Sequence, residues 1–263
     1  MGTIYYFTGT GNSLSIARTI AGKLNANLAS IVDYMKEKRA IDDEVIGIVM
    51  PVYCMDIPKL VKDFLRTARF AKNSYIFVIV TCGGAPGNVL HITKEILAEQ
   101  GQTLAYGTVI FLPDNSIVLP TAAQKKQQML ANEAAEADKI CIAVADRTNN
   151  SADLKNKFWY VFLKRLLAFA LRFGYKVDAK TIDTAKCIKC GNCERVCPAN
   201  NIQKDGSKYV FGENCENCFA CAHWCPVRAL TLGRLTPDDK THYTHPNVTL
   251  QDIIGQKNGT QSG

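Results

Sequence analysis

Eight cysteines between positions 187 and 225 constrain this chain more than anything else in it. They fall into two copies of one pattern, Cys187-x-x-Cys190-x-x-Cys193-x-x-x-Cys197-Pro198 and Cys215-x-x-Cys218-x-x-Cys221-x-x-x-Cys225-Pro226. Each proline is followed by a similar run, Ala199-Asn200-Asn201-Ile202 and then Val227-Arg228-Ala229-Leu230, so the repeat is offset by about 28 residues. Dense cysteine in a chain that opens without a secretory signal points to metal rather than disulfides. Three cysteines at three-residue intervals wrap a tight loop around one face of an iron–sulfur cubane, where backbone N–H groups can point at the sulfurs. The fourth cysteine, ahead of proline, turns away to serve the other cluster. The expected ligand sets are therefore Cys187, Cys190, Cys193 and Cys225 for one [4Fe–4S] cluster, and Cys215, Cys218, Cys221 and Cys197 for the second. The competing reading is structural zinc. Zinc sites use paired C-x-x-C knuckles with four ligands per ion, often including histidine, and a duplicated run ending in Cys-Pro departs from that.

Both copies of the motif resemble the bacterial two-cluster ferredoxins. Three further cysteines stand outside the repeat. Cys141 lies in a helical pattern and is expected in the core. Cys54 is read as packing, and Cys82 has only a weak case as a reactive thiol.

The first 145 residues have a different rhythm. Short apolar runs are expected as strands at Thr3–Phe7, Asn27–Val32, Val45–Met50, Tyr75–Val80 and Leu104–Leu112. Helical patterns occupy Ser13–Leu24, Pro58–Phe70, Asn88–Glu99 and Thr121–Ala145. Strand–helix alternation of this kind predicts an α/β doubly wound parallel sheet, with helices on both faces and the loops after the strands along one edge. The first of those loops is Thr8-Gly9-Thr10-Gly11-Asn12-Ser13. It lacks the lysine of a P-loop, and Leu14 stands where a dinucleotide fingerprint needs its third glycine. A loop in which hydroxyls and backbone N–H groups wrap a phosphate at a helix N-terminus fits better.

Here the chain resembles the flavodoxin family, whose phosphate loop has the pattern Thr/Ser-x-Thr-Gly-x-Thr/Ser. The resemblance implies FMN held by Thr8, Gly9, Thr10, Gly11, Asn12 and Ser13. It also implies ring contacts from Pro51, Val52 and Tyr53 after the third strand, and from Thr81, Cys82, Gly83 and Gly84 after the fourth. Tyr53 is then expected to stack on the isoalloxazine ring, and Cys82-Gly83-Gly84 to bring backbone groups to its polar edge. The whole chain looks like the fused flavodoxin–ferredoxin proteins of anaerobic bacteria and archaea. The expected domains are residues 1–145 (flavodoxin-like, FMN-binding), 146–180 (helical connector), 181–235 (an α+β two-cluster ferredoxin-like module) and 236–263 (a polar tail). Within the connector, 146–156 reads as a linker. Residues 157–175 form a basic amphipathic segment, with Lys157, Lys164, Arg165 and Arg172 on one stripe and Phe162, Leu166, Phe169 and Phe173 elsewhere. That segment is expected to pack between the domains or against the sheet, with contact to an anionic membrane surface or a docking protein as the alternatives.

The formal charge of +7 treats every cysteine as neutral. Eight thiolates, two oxidised cluster cores of about +4 together and a flavin phosphate of about −2 bring the loaded chain near about +1. The basic balance is therefore no argument for nucleic acid. No apolar run approaches the roughly 18 residues of a membrane span, and the opening residues lack a signal-peptide pattern, so a cytoplasmic protein is expected. These readings converge on an iron–sulfur flavoprotein that relays electrons between FMN and two clusters, to or from redox partner proteins. The alternative is an FMN-dependent reductase of a small molecule such as a quinone or nitroaromatic, with the loop from Pro113 to Pro120 forming one pocket wall. No catalytic residue is assigned.

Overall fold

The computed structural model describes residues 2–206 and 208–259. Along the first half run β1 (Gly2–Tyr6), α1 (Asn12–Leu24), β2 (Asn27–Ser30), α2 (Ile31–Glu37), β3 (Ala40–Ile41), β4 (Val45–Pro51) and α3 (Lys59–Thr67). They are followed by β5 (Arg69–Phe70), β6 (Tyr75–Cys82), α4 (Val89–Glu99), β7 (Leu104–Phe111) and α5 (Ala123–Ala145). Next come α6 (Trp159–Phe169), continued by a π-turn over Ala170–Gly174, then β8 (Lys180–Ile182), α7 (Asn192–Arg195), β9 (Ile202–Asp205) and β10 (Lys208–Phe211). The last elements are α8 (Ala220–His223), β11 (Leu230–Leu232) and α9 (Leu250–Gly255).

Five strands make one parallel sheet in the order β2-β1-β4-β6-β7. Among the described residues, the two-residue strands β3 and β5 pair only with each other. With them set aside, the order is the 2-1-3-4-5 of the flavodoxin-like doubly wound fold, whose ligand crevice lies where the winding reverses, between β1 and β4. The central strands are apolar throughout because both of their faces are covered; every residue of β6 is buried. Alternation along β6 divides the core. Phe77 and Ile79 join the side covered by α1 and α5, while Ile76, Val78 and Val80 join the side covered by α3 and α4. On the second side Phe64 sits among Tyr5, Tyr34 and Phe70, with ring centroids 5.0 to 5.9 Å apart.

Three sequence expectations need correction here. The run Asn27–Val32 stops being a strand at Ser30, whose hydroxyl accepts from the N–H groups of Val32 and Asp33 and so starts α2. The expected linker at 146–156 is fastened down. Asn150 exchanges two side-chain hydrogen bonds of 2.9 Å with the backbone of Gly107, and its own N–H donates to Ala105. It thereby covers the free edge of β7.

The third correction concerns the tail, of which residues 260–263 lie outside the described residues. It is irregular up to Val248, but it is not a loose appendage. Thr249 and Asp252 form a reciprocal capping box at the start of α9, and Val248 and Ile253 are buried in the α1/α5 core. Asp252 also pairs with Arg18 of α1.

The cysteine module is two antiparallel ribbons, β8 with β11 and β9 with β10, around the short helices α7 and α8. The duplication read from the cysteines extends to the backbone. Positive φ recurs at matched positions: Lys189 and Asn217, Gly191 and Phe219, Asn200 and Arg228.

Candidate functional site

The phosphate-loop candidate lies between β1 and α1. Gly11 has φ 109°, and a Cβ there would stand 2.8 Å from the His245 Cβ. A Cβ at Gly9 would stand 2.8 Å from both the Cys218 carbonyl oxygen and the Tyr53 hydroxyl. Only glycine fits either place. The loop's carbonyls are held from outside by residues far along the chain. Gln256 Nε2 donates to Thr8 O (3.0 Å), Trp224 Nε1 to Gly9 O (3.0 Å) and His245 N to Thr10 O (2.8 Å). Thr8 N in turn donates to Gln256 Oε1 at 2.8 Å.

The N–H side of the loop is left open. Among the described residues, the N–H groups of Gly9, Thr10, Asn12 and Ser13 and the Thr10 hydroxyl have no protein partner. Unsatisfied donors at the start of a 13-residue helix make an anion cradle. The side chains of Asn12 and Ser13, by contrast, are committed to positioning. Asn12 donates to Pro113 O and accepts from Tyr243, and Ser13 shares a 2.8 Å hydrogen bond with Thr81.

A cavity of 480 Å³ opens beside this cradle. It is lined by Thr8, Gly9, Thr10, Asn12 and Ser13, by Pro51, Val52 and Tyr53, and by Thr81, Cys82, Gly83 and Gly84. Of the thirteen residues expected from the resemblance, Gly11 is the one off the lining; its part is to turn the chain. Lining residues that sequence reading did not assign include Met55, Lys125, Asn217 and Phe219, together with Leu167 and Leu171 of the connector. Cys54, read from sequence as packing, lines the cavity too. Cys54 and Met55 both take positive φ in a tight turn closed by reciprocal 3.0 Å bonds between Tyr53 and Asp56. The wall expected from Pro113 to Pro120 is present.

Burial raises the Asp114 carboxyl above its usual range, against N–H donors from Ser116 and Asn115. Burial also pushes the Cys82 thiol up to about 11, against the Gly84 N–H. Cys82 is therefore a neutral thiol at pH 7 and a poor nucleophile. Cys141 is half-buried at the margin of the α1/α5 core rather than inside it.

The eight motif cysteines surround two small hollows. Cys187, Cys190, Cys193 and Cys225 line one; Cys197, Cys215, Cys218 and Cys221 line the other. Each set takes three cysteines from one copy of the repeat and the last cysteine of the other copy. Backbone N–H groups reach sulfur from Asn201 to Cys197 (3.2 Å), from Asn217 to Cys215 (3.3 Å) and from Ala229 to Cys225 (3.3 Å). Among the described residues, no three His, Cys, Asp or Glu side chains close on a point that one ion would fill.

The second hollow shares a wall with the 480 Å³ cavity. Phe219 lines both, and Asn115 of the cavity wall donates to the Cys218 carbonyl at 3.1 Å. Tyr53 completes that wall. Its ring meets Phe7 edge-on at 6.3 Å, and its buried hydroxyl, beside Gly9, has no hydrogen-bond partner. Glu216, on the same cysteine loop, caps α3 by accepting from Leu60 N at 3.1 Å. The first hollow faces outward, with Cys190 and Ile188 exposed.

Residues 179–226 match the model of the 4Fe-4S dicluster domain. The chain is 40% identical over 55 residues to a pyruvate synthase subunit, PorD, of Methanocaldococcus jannaschii; the match covers 20% of this chain and 64% of that subunit. It is 36% identical over 64 residues to an uncharacterised ferredoxin of the same organism, covering 22% of this chain and 83% of the ferredoxin. Among solved structures, the two-electron-reduced flavodoxin of Megasphaera elsdenii aligns at 19% identity and TM-score 0.34, covering 52% of this chain and 99% of that one. An FMN-dependent NADH-azoreductase of Bacillus anthracis aligns at 13% identity and TM-score 0.39, covering 55% and 100%. Sheet order, cysteine repeat and dicluster match together make this a flavodoxin-like domain followed by a ferredoxin module, and by that module the chain belongs to the ferredoxin family.

Proposed function

We propose that the chain is an electron-transfer iron–sulfur flavoprotein, with FMN in the 480 Å³ cavity, one [4Fe–4S] cluster in each cysteine hollow, and redox proteins as its partners. When bound, FMN exchanges one or two electrons and each cluster exchanges one. The free N–H groups of Gly9, Thr10, Asn12 and Ser13, with the Thr10 hydroxyl, receive the flavin phosphate. Gly83, Gly84, Asp114 and Tyr53 line the same cavity and would hold the flavin ring. Leu167 and Leu171 lie over the cavity, held there in part by the Lys164–Asp56 ion pair. Cysteine sets that ring a hollow instead of meeting at a point suit a cubane, and the N–H donors to their sulfurs would raise the potential of a cluster held there.

One observation carries the proposal: the cavity and the second cysteine hollow share Phe219, and Gly9 and Tyr53 of the cavity lie against Cys218 of the hollow. That supports a second cluster next to the flavin and a first, at Cys190, toward a partner. The relatives support this reading, among them ferredoxins, a pyruvate synthase subunit and a subunit of an NADH-dependent phenylglyoxylate dehydrogenase. The connector leucines over the cavity favour relay over reduction of a bulky small molecule, and we place the protein in the cytoplasm.

Anaerobic purification with iron, sulfide and flavin measured on one sample tests the proposal. The expected content is about eight iron, eight sulfide and one FMN per chain. Zinc in place of iron would remove the cluster half of the proposal. Absence of flavin after reconstitution with FMN would remove the other half.

A further inference from the structure

Residues 155–176 contain six basic residues (Lys155, Lys157, Lys164, Arg165, Arg172 and Lys176) and no acidic one. The inner side of α6 is used: Leu167 and Leu171 line the cavity and Lys164 pairs with Asp56. The outer side is bare. Phe158, Phe162, Phe169 and Phe173 are 85%, 73%, 63% and 59% exposed, and Leu166 and Trp159 are about half exposed. Positions 158, 162, 166, 169 and 173 follow helical spacing, so these side chains form one continuous apolar stripe along α6 and its π-turn. Monomeric proteins seldom leave such a stripe in water. Arg165 and Arg172 are exposed along its margin, Trp159 and Tyr160 lie at one end and Tyr175 at the other.

We infer that this outer face docks on an anionic lipid surface. Charge decides the occupant. A predominantly basic rim, in which Arg172 also pairs with Asp178 at 3.8 Å, surrounds an aromatic and aliphatic stripe; it complements acidic headgroups above acyl chains and repels a second copy of the same face. Among the described residues no helix is long and apolar enough to cross a membrane, so the helix lies in the interface plane. The mouth of the cavity, roofed by the same helix, would then sit against the bilayer.

The test is flotation of the full-length, cofactor-loaded protein with vesicles of phosphatidylcholine alone or with one-third phosphatidylglycerol. Binding to the anionic vesicles is expected, weakened more than about tenfold by Arg165→Glu with Arg172→Glu and more than about tenfold by Phe162→Glu with Phe169→Glu. All four side chains are exposed, so the variants should keep the cofactor content and thermal transition of the parent. No binding to either vesicle overturns the inference, as does equal binding to both. Light scattering that finds a lipid-free dimer, lost in Phe162→Glu, would also overturn it and assign the face to a second copy.

Discussion

The sheet domain and the cysteine module are built on opposite economies of core. Around the sheet, two continuous clusters bury Phe64, Phe77, Ile4, Ile46 and many more residues, enough apolar area to hold a fold unaided. The module's own buried cluster amounts to Ile202, Ala222, Leu230 and Leu232 with two of its cysteines, Cys197 and Cys221, and it borrows Ile117 from the sheet domain. A segment of that size with that little core needs a staple, and the eight cysteines are where the staple goes. The difference also explains why the two regions are not independent. The larger domain has its own sheet core but leaves the carbonyls of its candidate phosphate loop to Trp224, His245 and Gln256, which belong to the module and the returning tail.

Breaking the staple gives the largest expected effect. Anaerobic chelation of iron should abolish hydrogen-exchange protection across β8 to β11 while the amides of β4 and β6 remain protected. Equal loss in both regions would mean that the module does not depend on its cysteines' ligand.

Next comes the sheet's own core. Phe64→Ala removes a ring packed on Tyr5, Tyr34 and Phe70 and should cost about 3–5 kcal/mol in urea unfolding followed by far-UV signal, with iron content unchanged. Smaller again is Gln256→Ala. It leaves the Thr8 N–H and C=O without their protein partners and should cost about 1–3 kcal/mol, while weakening FMN binding measured by fluorescence quenching. A variant with unaltered FMN affinity would show that the tail stabilises the loop without shaping it.

The smallest effect is a slope with pH. Burial by itself would raise the Asp252 carboxyl, but the Arg18 guanidinium and the N–H and hydroxyl of Thr249 outweigh it and hold the group well below the usual carboxylate range. A depressed carboxyl stabilises the fold above its unfolded value of about 3.9, and that contribution is lost as pH falls through the folded value. Stability should therefore fall below pH 4 more steeply in the parent than in Asp252→Asn.

Much of this arrangement was legible in the residues because it rests on local rules. The cysteine spacing foretold which sulfurs share a hollow, and uninterrupted apolar strands foretold a sheet covered on both sides. What was not legible came from long-range pairings that leave little local signal. Gln256 and Asn150 are ordinary polar residues in sequence, yet each supplies the amide that completes a backbone pairing. Thr249-x-x-Asp252 ahead of Ile253 and Ile254 is a start signal for a helix, but a faint one within a polar tail. The place of Cys54 on the cavity wall depends on the positive-φ turn it makes with Met55, which nothing in its sequence neighbours announces. In the connector only one face packs as expected; the side chains over the cavity could not be told from those facing solvent until the sheet edge was in place.

The central claim is that the flavin cavity and the second cysteine hollow are wired within one chain through Tyr53 and Cys218. Flash photoreduction of the flavin in the anaerobic, fully loaded protein tests it most directly, with cluster bleaching followed in the visible. The account predicts a single bleaching phase whose rate does not change with protein concentration. Bleaching that scales with concentration, or none at all, would contradict it.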